Sequence, residues 1–368
     1  MNIITAHSIE TDPKKAARHL QTQMEGFNPS VVIYFASSHY DPDIISRSMQ
    51  QAFPKADTFG CSTAGEIISG QMLKNSIVAM GMKADLIGEM NLQVVPDIRT
   101  MNHVDKAFKK FKNYFSTDPS NMDLNEYVGI ILADGLSKSE ENLMDYIGER
   151  SNIIFIGGSS GDDLKFTQTW VYANGKSYTN AAVLALFKPK VGFSFIKTQS
   201  FKPCPSTLVA TKVNPEERKV IEFNSQPARV AYAEAIGAPV DQIENYFMSN
   251  PVGLVIDDEP FVRSPQRIEG DEMYFYCNVM EGMALNLLEA SDIIQDTREA
   301  VENKRKELPR ISGIINFNCI LRTLELEKKG MTDAYADIFT DIPTIGFSTY
   351  GEAFLGHINQ TATMLVFS

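Results

Sequence analysis

The sequence predicts an α/β protein with mixed sheets, made of two related halves in a four-layer helix–sheet–sheet–helix arrangement. The segment Gly60–Glu66 returns as Gly346–Glu352, and both copies read G-x-S-T-x-G-E. An apolar strand follows each copy at a matching distance, which indicates repeated structural units. Strands also come in runs broken by single helices, whereas a doubly wound parallel sheet alternates strictly. Several strands and few helices in each half favour the four layers.

The first half alternates strand and helix signals. Apolar runs of strand length predict strands at 31–37, 58–61, 77–82, 87–95, 127–133, 153–157, 167–172, 181–187 and 191–197. Asp41-Pro42-Asp43 starts a helix that extends to about Ala52, and further helices are expected at 104–114 and 140–147. Asn174-Gly175 has the composition of a tight hairpin turn.

The second half begins after a proline-rich segment and a turn. Lys202–Pro205 and Asn214–Glu217 mark the expected joint between the halves. Beyond it, strands are predicted at 220–223, 253–256, 262–267, 273–276 and 311–317, and helices at 227–236, 292–307 and 320–329. We therefore expect a lead-in at 1–27, an N-terminal domain at 28–218 and a C-terminal domain at 219–368.

Composition excludes several classes of protein. The 368 residues are 43% hydrophobic and 22% charged, with a net charge of −12. Nucleic acids and anionic membranes attract basic surfaces, so neither is an expected partner. No segment has the length or pattern of a signal peptide or a membrane span. Four widely spaced cysteines indicate free thiols in a reducing compartment, and the expected location is the cytoplasm.

The repeated turn offers groups that can hold a small ligand. Its glycines permit close approach to the backbone, its Ser-Thr pairs supply hydroxyls, and its glutamates supply carboxylates. The cluster Gly157–Asp163 lacks the ending of a phosphate loop and is interpreted as a pocket wall. The predicted ligand-binding residues are Cys61, Ser62, Thr63, Glu66, Gly158, Ser159, Ser348, Thr349, Glu352 and Asn359. The alternative is a pair of tight turns whose glutamates bond locally.

Three motifs in order resemble the FIST family. They are Phe59–Ile67, Gly157–Asp162, and Tyr350–Glu352 followed by His357–Thr361. The resemblance implies a FIST N-terminal domain, a FIST C domain and an intracellular ligand-sensing role. It also implies a separate output partner, such as a histidine kinase, a methyl-accepting protein or a diguanylate cyclase or phosphodiesterase. The C-terminal motif is similar to that of stand-alone members that bind haem and sense nitric oxide.

Haem is therefore the expected cofactor, and His357 is its expected iron ligand. A haem needs an apolar slot and an axial ligand, most often histidine. His357 stands where the first copy of the repeat has Gln71, and His39 is the second choice. Cys204, within Pro203-Cys204-Pro205, is a possible thiolate ligand, and no C-x-x-C-H motif is present. A histidine that only bridges the last strands is the structural alternative.

Other functions stay open at this stage. The turns can bind an amino acid or another small zwitterion, with Glu66 or Glu352 receiving the ammonium group. An interaction scaffold is a third possibility. A cysteine enzyme needs Cys61 as nucleophile beside His39, but its counterpart Phe347 indicates a packing position, and we expect no enzymatic activity. The sequence does not set the oligomeric state, and a homodimer is compatible with it.

Overall fold

The computed structural model describes residues 2–257 and 259–368, which form two compact units. The first unit contains the residues up to 198 together with 297–357 and 362–368. The second contains 199–296 and 358–361. The expected C-terminal domain at 219–368 therefore contributes to both compact units. The expected lead-in at 1–27 supplies a strand and a helix of the first unit.

The first eight elements of the chain form one repeat. They are β1 (Ile3–Ser8), α1 (Pro13–Gln23), β2 (Val31–Ser37), α2 (Pro42–Ala52), β3 (Asp57–Thr63), β4 (Glu66–Ile68), β5 (Gln71–Leu73) and β6 (Ile77–Met82). Asp41 caps α2 by accepting a hydrogen bond from the Ile44 backbone N–H at 2.9 Å, and Pro42 starts the helix. Ile45 and Met49 lie on the apolar face of the helix, which packs on the sheet.

The same succession of elements then occurs again. After the short α3 (Ala84–Ile87) come β7 (Glu89–Pro96), α4 (Asn102–Phe115), β8 (Val128–Ala133), α5 (Glu140–Gly148), β9 (Phe155–Ser159), β10 (Val171–Ala173), β11 (Lys176–Tyr178) and β12 (Ala181–Lys188). In each repeat the second and third strands run parallel, because a helix connects them, and the last strand returns antiparallel. These sheets are mixed, as predicted.

A third repeat starts with β13 (Phe193–Gln199), and the second unit is inserted in the sequence after it. That unit consists of β14 (Phe201–Asn214), β15 (Lys219–Phe223), β16 (Gln226–Pro227), α6 (Ala228–Ile236), β17 (Val252–Ile256), β18 (Glu259–Arg263), β19 (Pro265–Glu269), β20 (Glu272–Phe275) and β21 (Ala284–Ala290). Its eight strands form one antiparallel sheet. The proline segment expected as the joint lies inside β14, where the register shifts between Pro203 and Thr207.

The third repeat is completed by the C-terminal elements. They are α7 (Ile293–Glu307), β22 (Gly313–Cys319), α8 (Ile320–Lys329), α9 (Thr332–Ala336), β23 (Thr344–Thr349), β24 (Glu352–Phe354), β25 (His357–Ile358) and β26 (Thr361–Phe367). Gly330, with a φ of 66°, ends α8 in the left-handed region that favours glycine. The order of strands and helices matches that of the first two repeats, apart from the additional helix α9 and the inserted second unit.

The three repeats exchange hairpins in a cycle. The three sheets have the orders β1-β6-β2-β3-β10-β11, β7-β12-β8-β9-β24-β25 and β13-β26-β22-β23-β4-β5. Each sheet therefore has four strands from its own repeat and two from another. The hairpin β4–β5 extends the sheet of the third repeat, β10–β11 that of the first, and β24–β25 that of the second. This exchange binds the repeats into one structure.

The glycine that opens each turn confirms the equivalence of the repeats. Gly60, Gly157 and Gly346 each face a carbonyl oxygen of the neighbouring parallel strand. A Cβ atom at these glycines would lie 1.8, 1.7 and 2.1 Å from that oxygen. No side chain fits at such a distance, so glycine is required at all three positions. The sequence-predicted pocket wall Gly157–Asp163 is thus a third copy of the turn.

All three sheets share one core. It contains Phe35 and Phe59 of the first sheet, Leu132 and Val183 of the second, and Phe317, Phe347 and Leu365 of the third. The helices cover the outer faces, where α1 and α2 pack on the first sheet and α4 and α5 on the second. The mixed α/β class is confirmed. The structure has one core enclosed by three sheets. The sequence predicted two facing sheets because only two of the three repeats were recognised.

Candidate functional site

The repeated turns meet at the ends of the central strands and bond to one another. The Ser62, Ser348 and Ser159 backbone N–H groups donate to the carbonyl oxygens of Trp170, Gly65 and Gly351 at 2.9, 2.8 and 2.8 Å. The same serines accept from the N–H groups of Gly161, Ala64 and Tyr350 at 2.9, 3.4 and 3.1 Å. These six bonds join the repeats in the same cyclic order as the exchanged hairpins. The loops therefore meet at one junction, and their backbone donors serve the fold.

Glu66 and Glu352 are enclosed at this junction. Glu66 is 1% exposed and accepts hydrogen bonds from Thr63 Oγ1, from the Ser76 N–H at 3.1 Å and from Ser76 Oγ at 2.6 Å. Burial raises the pKa of Glu66 to about 8, and the hydrogen bonds from Ser76 and Thr63 only partly oppose this. Thr349 donates to Glu352 in the same way. Both carboxylates hold their own turns, and neither faces solvent.

The remaining turn residues are also internal. The Cys61 side chain lies in the shared core, where burial raises the pKa of its thiol, so the nucleophile of the enzyme alternative is neither exposed nor activated. Ser62 Oγ donates to the Gly161 carbonyl at 2.8 Å, and Ser348 Oγ bonds to Thr323 Oγ1 at 2.7 Å. Ser159 is 2% exposed. A Cβ at Gly158 would lie 2.6 Å from Thr349 Cγ2, which leaves no gap there for a ligand.

The two residues of the C-terminal motif fall in different units. Asn359 is buried in the second unit, whereas His357 belongs to the first. The His357 ring packs directly on Gly351, since a Cβ there would lie 2.2 Å from Cε1. The ring atom Nε2 is fully enclosed. A haem iron needs open space beside its ligand nitrogen, so the placement of His357 does not fit an axial ligand without movement of the ring.

A partly exposed polar group lies at the end of β2 and was mostly missed by the sequence. We call it the Asp163 cluster: Ser37, Ser38, His39, Asp163 and Lys165. Asp163 Oδ2 accepts from Ser37 Oγ at 3.2 Å and from Ser38 Oγ at 2.6 Å. Lys165 Nζ donates to Ser38 Oγ at 3.1 Å and lies 4.0 Å from Asp163 Oδ2. The Asp163 side chain is 23% exposed and that of Lys165 is 56% exposed.

His39 is the least satisfied member of the cluster. Both of its ring nitrogens are shielded from solvent and have no hydrogen-bond partner in the part of the chain that the structure describes. Its ring lies 3.8 Å from the ring of Tyr40. Burial lowers the pKa of His39, although the nearby Asp163 carboxylate opposes this shift. The imidazole is therefore neutral near pH 7 and offers one donor and one acceptor.

Asp163 is carried by a segment that only the second repeat has. Residues 162–169 are inserted where the other turns continue directly into their hairpins. Asp162 organises this segment by accepting from the N–H groups of Phe166, Thr167 and Gln168 at 2.9, 2.7 and 3.0 Å, and from Tyr350 Oη at 2.6 Å. Burial acts to raise the pKa of Asp162, but these bonds outweigh it and leave the pKa below its usual value.

The inserted segment has a strained backbone. Asp163, Leu164 and Phe166 have φ angles of 56°, 62° and 51°, in the left-handed region that residues other than glycine seldom adopt. Strain of this kind persists where the surroundings over-determine it, and it concentrates at binding sites and switches. The sequence signal was the acidic ending of Gly157–Asp163, while Lys165 belongs to no motif.

Three concave surfaces of the first unit lie away from the repeated turns. Three cavities have volumes of about 740, 570 and 550 Å³, and their linings include none of the predicted ligand-binding residues. No group of three or more histidine, cysteine or acidic residues in the described ranges is arranged to hold a metal ion. Nor does any described helix combine the length and apolarity that crossing a membrane requires.

Comparison with known proteins agrees with the resemblance seen in the motifs. The FIST N domain matches residues 30–226, and the FIST C domain matches residues 228–354. The chain is also similar to the uncharacterized protein MJ1623 of Methanocaldococcus jannaschii, with 23% identity over 296 residues. The alignment covers 75% of this chain but 57% of the archaeal protein, so the chain spans little more than half of that relative. The chain belongs to the FIST family, whose domains are sensory domains of signal transduction.

Proposed function

We propose that the protein senses a small zwitterion, such as an amino acid, at the Asp163 cluster. The observation that carries the proposal is the pairing of opposite charges beside an unsatisfied imidazole. Asp163 and Lys165 are both accessible and lie 4.0 Å apart, at the limit of an ion pair. The neutral His39 ring next to them has no hydrogen-bond partner in the described ranges.

The cluster supplies the groups that an amino acid requires. Asp163 accepts from the ligand ammonium group, and Lys165 donates to its carboxylate. Ser38 can turn its hydroxyl to either charged end. Both His39 nitrogens are shielded from solvent, so the ring adds a neutral hydrogen bond only after it moves towards the ligand. Charge-assisted hydrogen bonds of this kind are shorter and stronger than neutral ones. Glu66 and Glu352, the residues predicted for this task, are enclosed and already accept bonds from their own turns.

The inserted segment connects the cluster to another repeat. Asp163 follows Asp162, which bonds to Tyr350 of the third repeat at 2.6 Å. The Leu164 N–H also donates to Tyr350 Oη at 2.8 Å, and the Phe166 and Tyr350 rings stack 5.2 Å apart. A ligand that captures Asp163 therefore acts on the segment that holds Tyr350. We propose that this link transmits binding to a separate histidine kinase or cyclic-di-GMP enzyme, which requires a difference in ligand affinity between two states.

The test is a thermal-shift screen of the full chain with amino acids and related zwitterions, followed by calorimetry. We expect at least one compound to raise the melting temperature, with a tenfold or larger loss of affinity in Asp163→Asn and in Lys165→Gln. Asp85→Asn, which neutralises an exposed carboxylate elsewhere in the first unit, is the matched control. A ligand that binds Asp163→Asn as well as the wild type, or a screen without any ligand, refutes this proposal.

Haem-based nitric oxide sensing stays a prediction from the resemblance. Its support is the similarity of the C-terminal motif, and the enclosed His357 Nε2 weighs against it. Titration of the protein with haemin tests it directly. A Soret band that is shifted in the wild type and lost in His357→Ala would favour haem binding over the zwitterion proposal. A band that is unchanged in His357→Ala would leave His357 without that role.

A further inference from the structure

A groove follows the outer side of strand β7 beneath helix α4. Its volume is about 570 Å³. We call it the β7–α4 groove, and its lining residues are Val94, Pro96, His103, Lys106, Ala107, Lys109, Lys110 and Asn113. The helical residues 106, 109, 110 and 113 are spaced by three and four positions, so they share one face of α4. Val94, Pro96 and Ala107 make the groove apolar between the lysines.

The three lysines are free of acidic partners. Among the described residues, Lys106, Lys109 and Lys110 have no carboxylate within 4 Å, and all three are exposed. Other charges of the same helix are paired, since Asp105 bonds to Arg150 at 3.1 Å and Lys112 to Asp118 at 2.9 Å. The whole chain has 34 basic and 46 acidic residues. The three lysines are therefore a local basic group on an acidic protein.

Strand β7 is the edge of its sheet. It pairs with β12 on one side, from Glu89 opposite Lys188 to Pro96 opposite Ala181, and it ends the strand order of that sheet. An edge strand presents backbone N–H and C=O groups that can pair with another chain. Added strands of this kind are a recurring mode of peptide recognition, in which main-chain bonds give affinity and neighbouring pockets give specificity.

We infer that the β7–α4 groove docks an extended acidic segment of a partner protein. The edge of β7 supplies backbone bonds up to Val94, because Pro96 has no N–H and its carbonyl oxygen already bonds to His103 Nδ1 at 2.6 Å. The lysines of α4 pair with acidic side chains, and the apolar floor receives the side chains between them. A nucleic acid or an anionic membrane fits less well, because neither has the peptide groups that an edge strand pairs with.

Fluorescence anisotropy with a labelled peptide of alternating glutamate and valine tests the inference. We expect the full chain to bind this probe, and the Lys106→Gln, Lys109→Gln, Lys110→Gln triple variant to bind it at least tenfold more weakly. The matched control replaces the exposed Lys14, Lys55 and Lys328 by glutamine and should bind as the wild type does. An alternating lysine–valine peptide should not bind.

A second probe separates strand addition from simple charge attraction. The same acidic peptide with alternate backbone nitrogens methylated keeps its charges but loses the N–H groups that one strand edge requires. We expect it to bind at least tenfold more weakly. Equal binding of the methylated probe, equal binding by the triple glutamine variant, or tighter binding of duplex DNA or phosphatidylserine vesicles through the same lysines would overturn the inference. None of these outcomes involves the Asp163 cluster, so the proposed sensing function is tested separately.

Discussion

The buried carboxyl of Glu66 makes the stability of the first unit depend on pH in a defined direction. Its side chain is 1% exposed, and burial raises its pKa from 4.5 to about 8. The folded protein therefore binds a proton that the unfolded chain releases between these two values. Stability from this group is fully present below about pH 4.5 and is lost as the pH rises towards 8. Substitution by glutamine removes the titration and keeps the shape of the side chain.

The magnitude follows from the linkage between proton binding and folding. One proton held only by the folded state changes the free energy of unfolding by about 1.4 kcal/mol per pH unit. From pH 5 to pH 8 the wild type should lose up to about 4 kcal/mol through this group. Glu66→Gln should lack that part of the slope. The free energy of unfolding of the variant should therefore rise relative to that of the wild type between pH 5 and pH 8.

Urea unfolding at pH 5, 6, 7 and 8 measures this difference. The chain has one tryptophan, Trp170, whose backbone N–H donates to Ser62 Oγ at 2.9 Å, so its fluorescence reports on the turn junction. Glu25→Gln, an exposed site, controls for the loss of one surface charge. Other titrating groups affect wild type and variants alike. Parallel pH profiles for wild type and Glu66→Gln would show that Glu66 is not a proton-binding group of the folded state.

Three further predictions concern the turns. Alanine at Gly60, Gly157 or Gly346 should destabilise the first unit by about 3 kcal/mol or more, measured by chemical unfolding, because its Cβ would overlap a backbone oxygen. The control Gly148→Ala, whose Cβ would have nothing within 4 Å, should change the unfolding midpoint little. A mild effect at Gly157 alone would contradict the third repeat. Cys61 should react with a thiol reagent only on unfolding, after Cys204, which is partly exposed, and rapid labelling of native Cys61 would restore the enzyme alternative. Tyr350→Phe removes the bond to Asp162 and should increase limited proteolysis within 162–169, with the exposed Tyr114→Phe as control.

Local chemistry in the sequence was sufficient for much of the secondary structure. The strands predicted at 31–37 and 77–82 and the helix at 320–329 have the predicted bounds. Apolar runs bounded by glycine, proline or asparagine identify such elements because the signals lie within the element itself. The duplicated turn was also visible in the sequence, because its opening glycines lie against a backbone oxygen and no other residue fits there. The element β1 at the N-terminus was missed because its run Ile3–Ser8 is short and half polar.

Tertiary structure decided how many repeats there are and which residues face solvent. The second repeat has Val171 where the others have Glu66 and Glu352, and the insertion 162–169 separates it from its turn. Its kinship therefore appears in the order of its elements, in the strand pairing and in the contact of its opening glycine, Gly157. Hairpin exchange depends on contacts between residues far apart in the chain, which no local pattern encodes. Exposure depends on those same contacts: they enclose the glutamates that look like ligands in the sequence and leave Asp163 and Lys165 open.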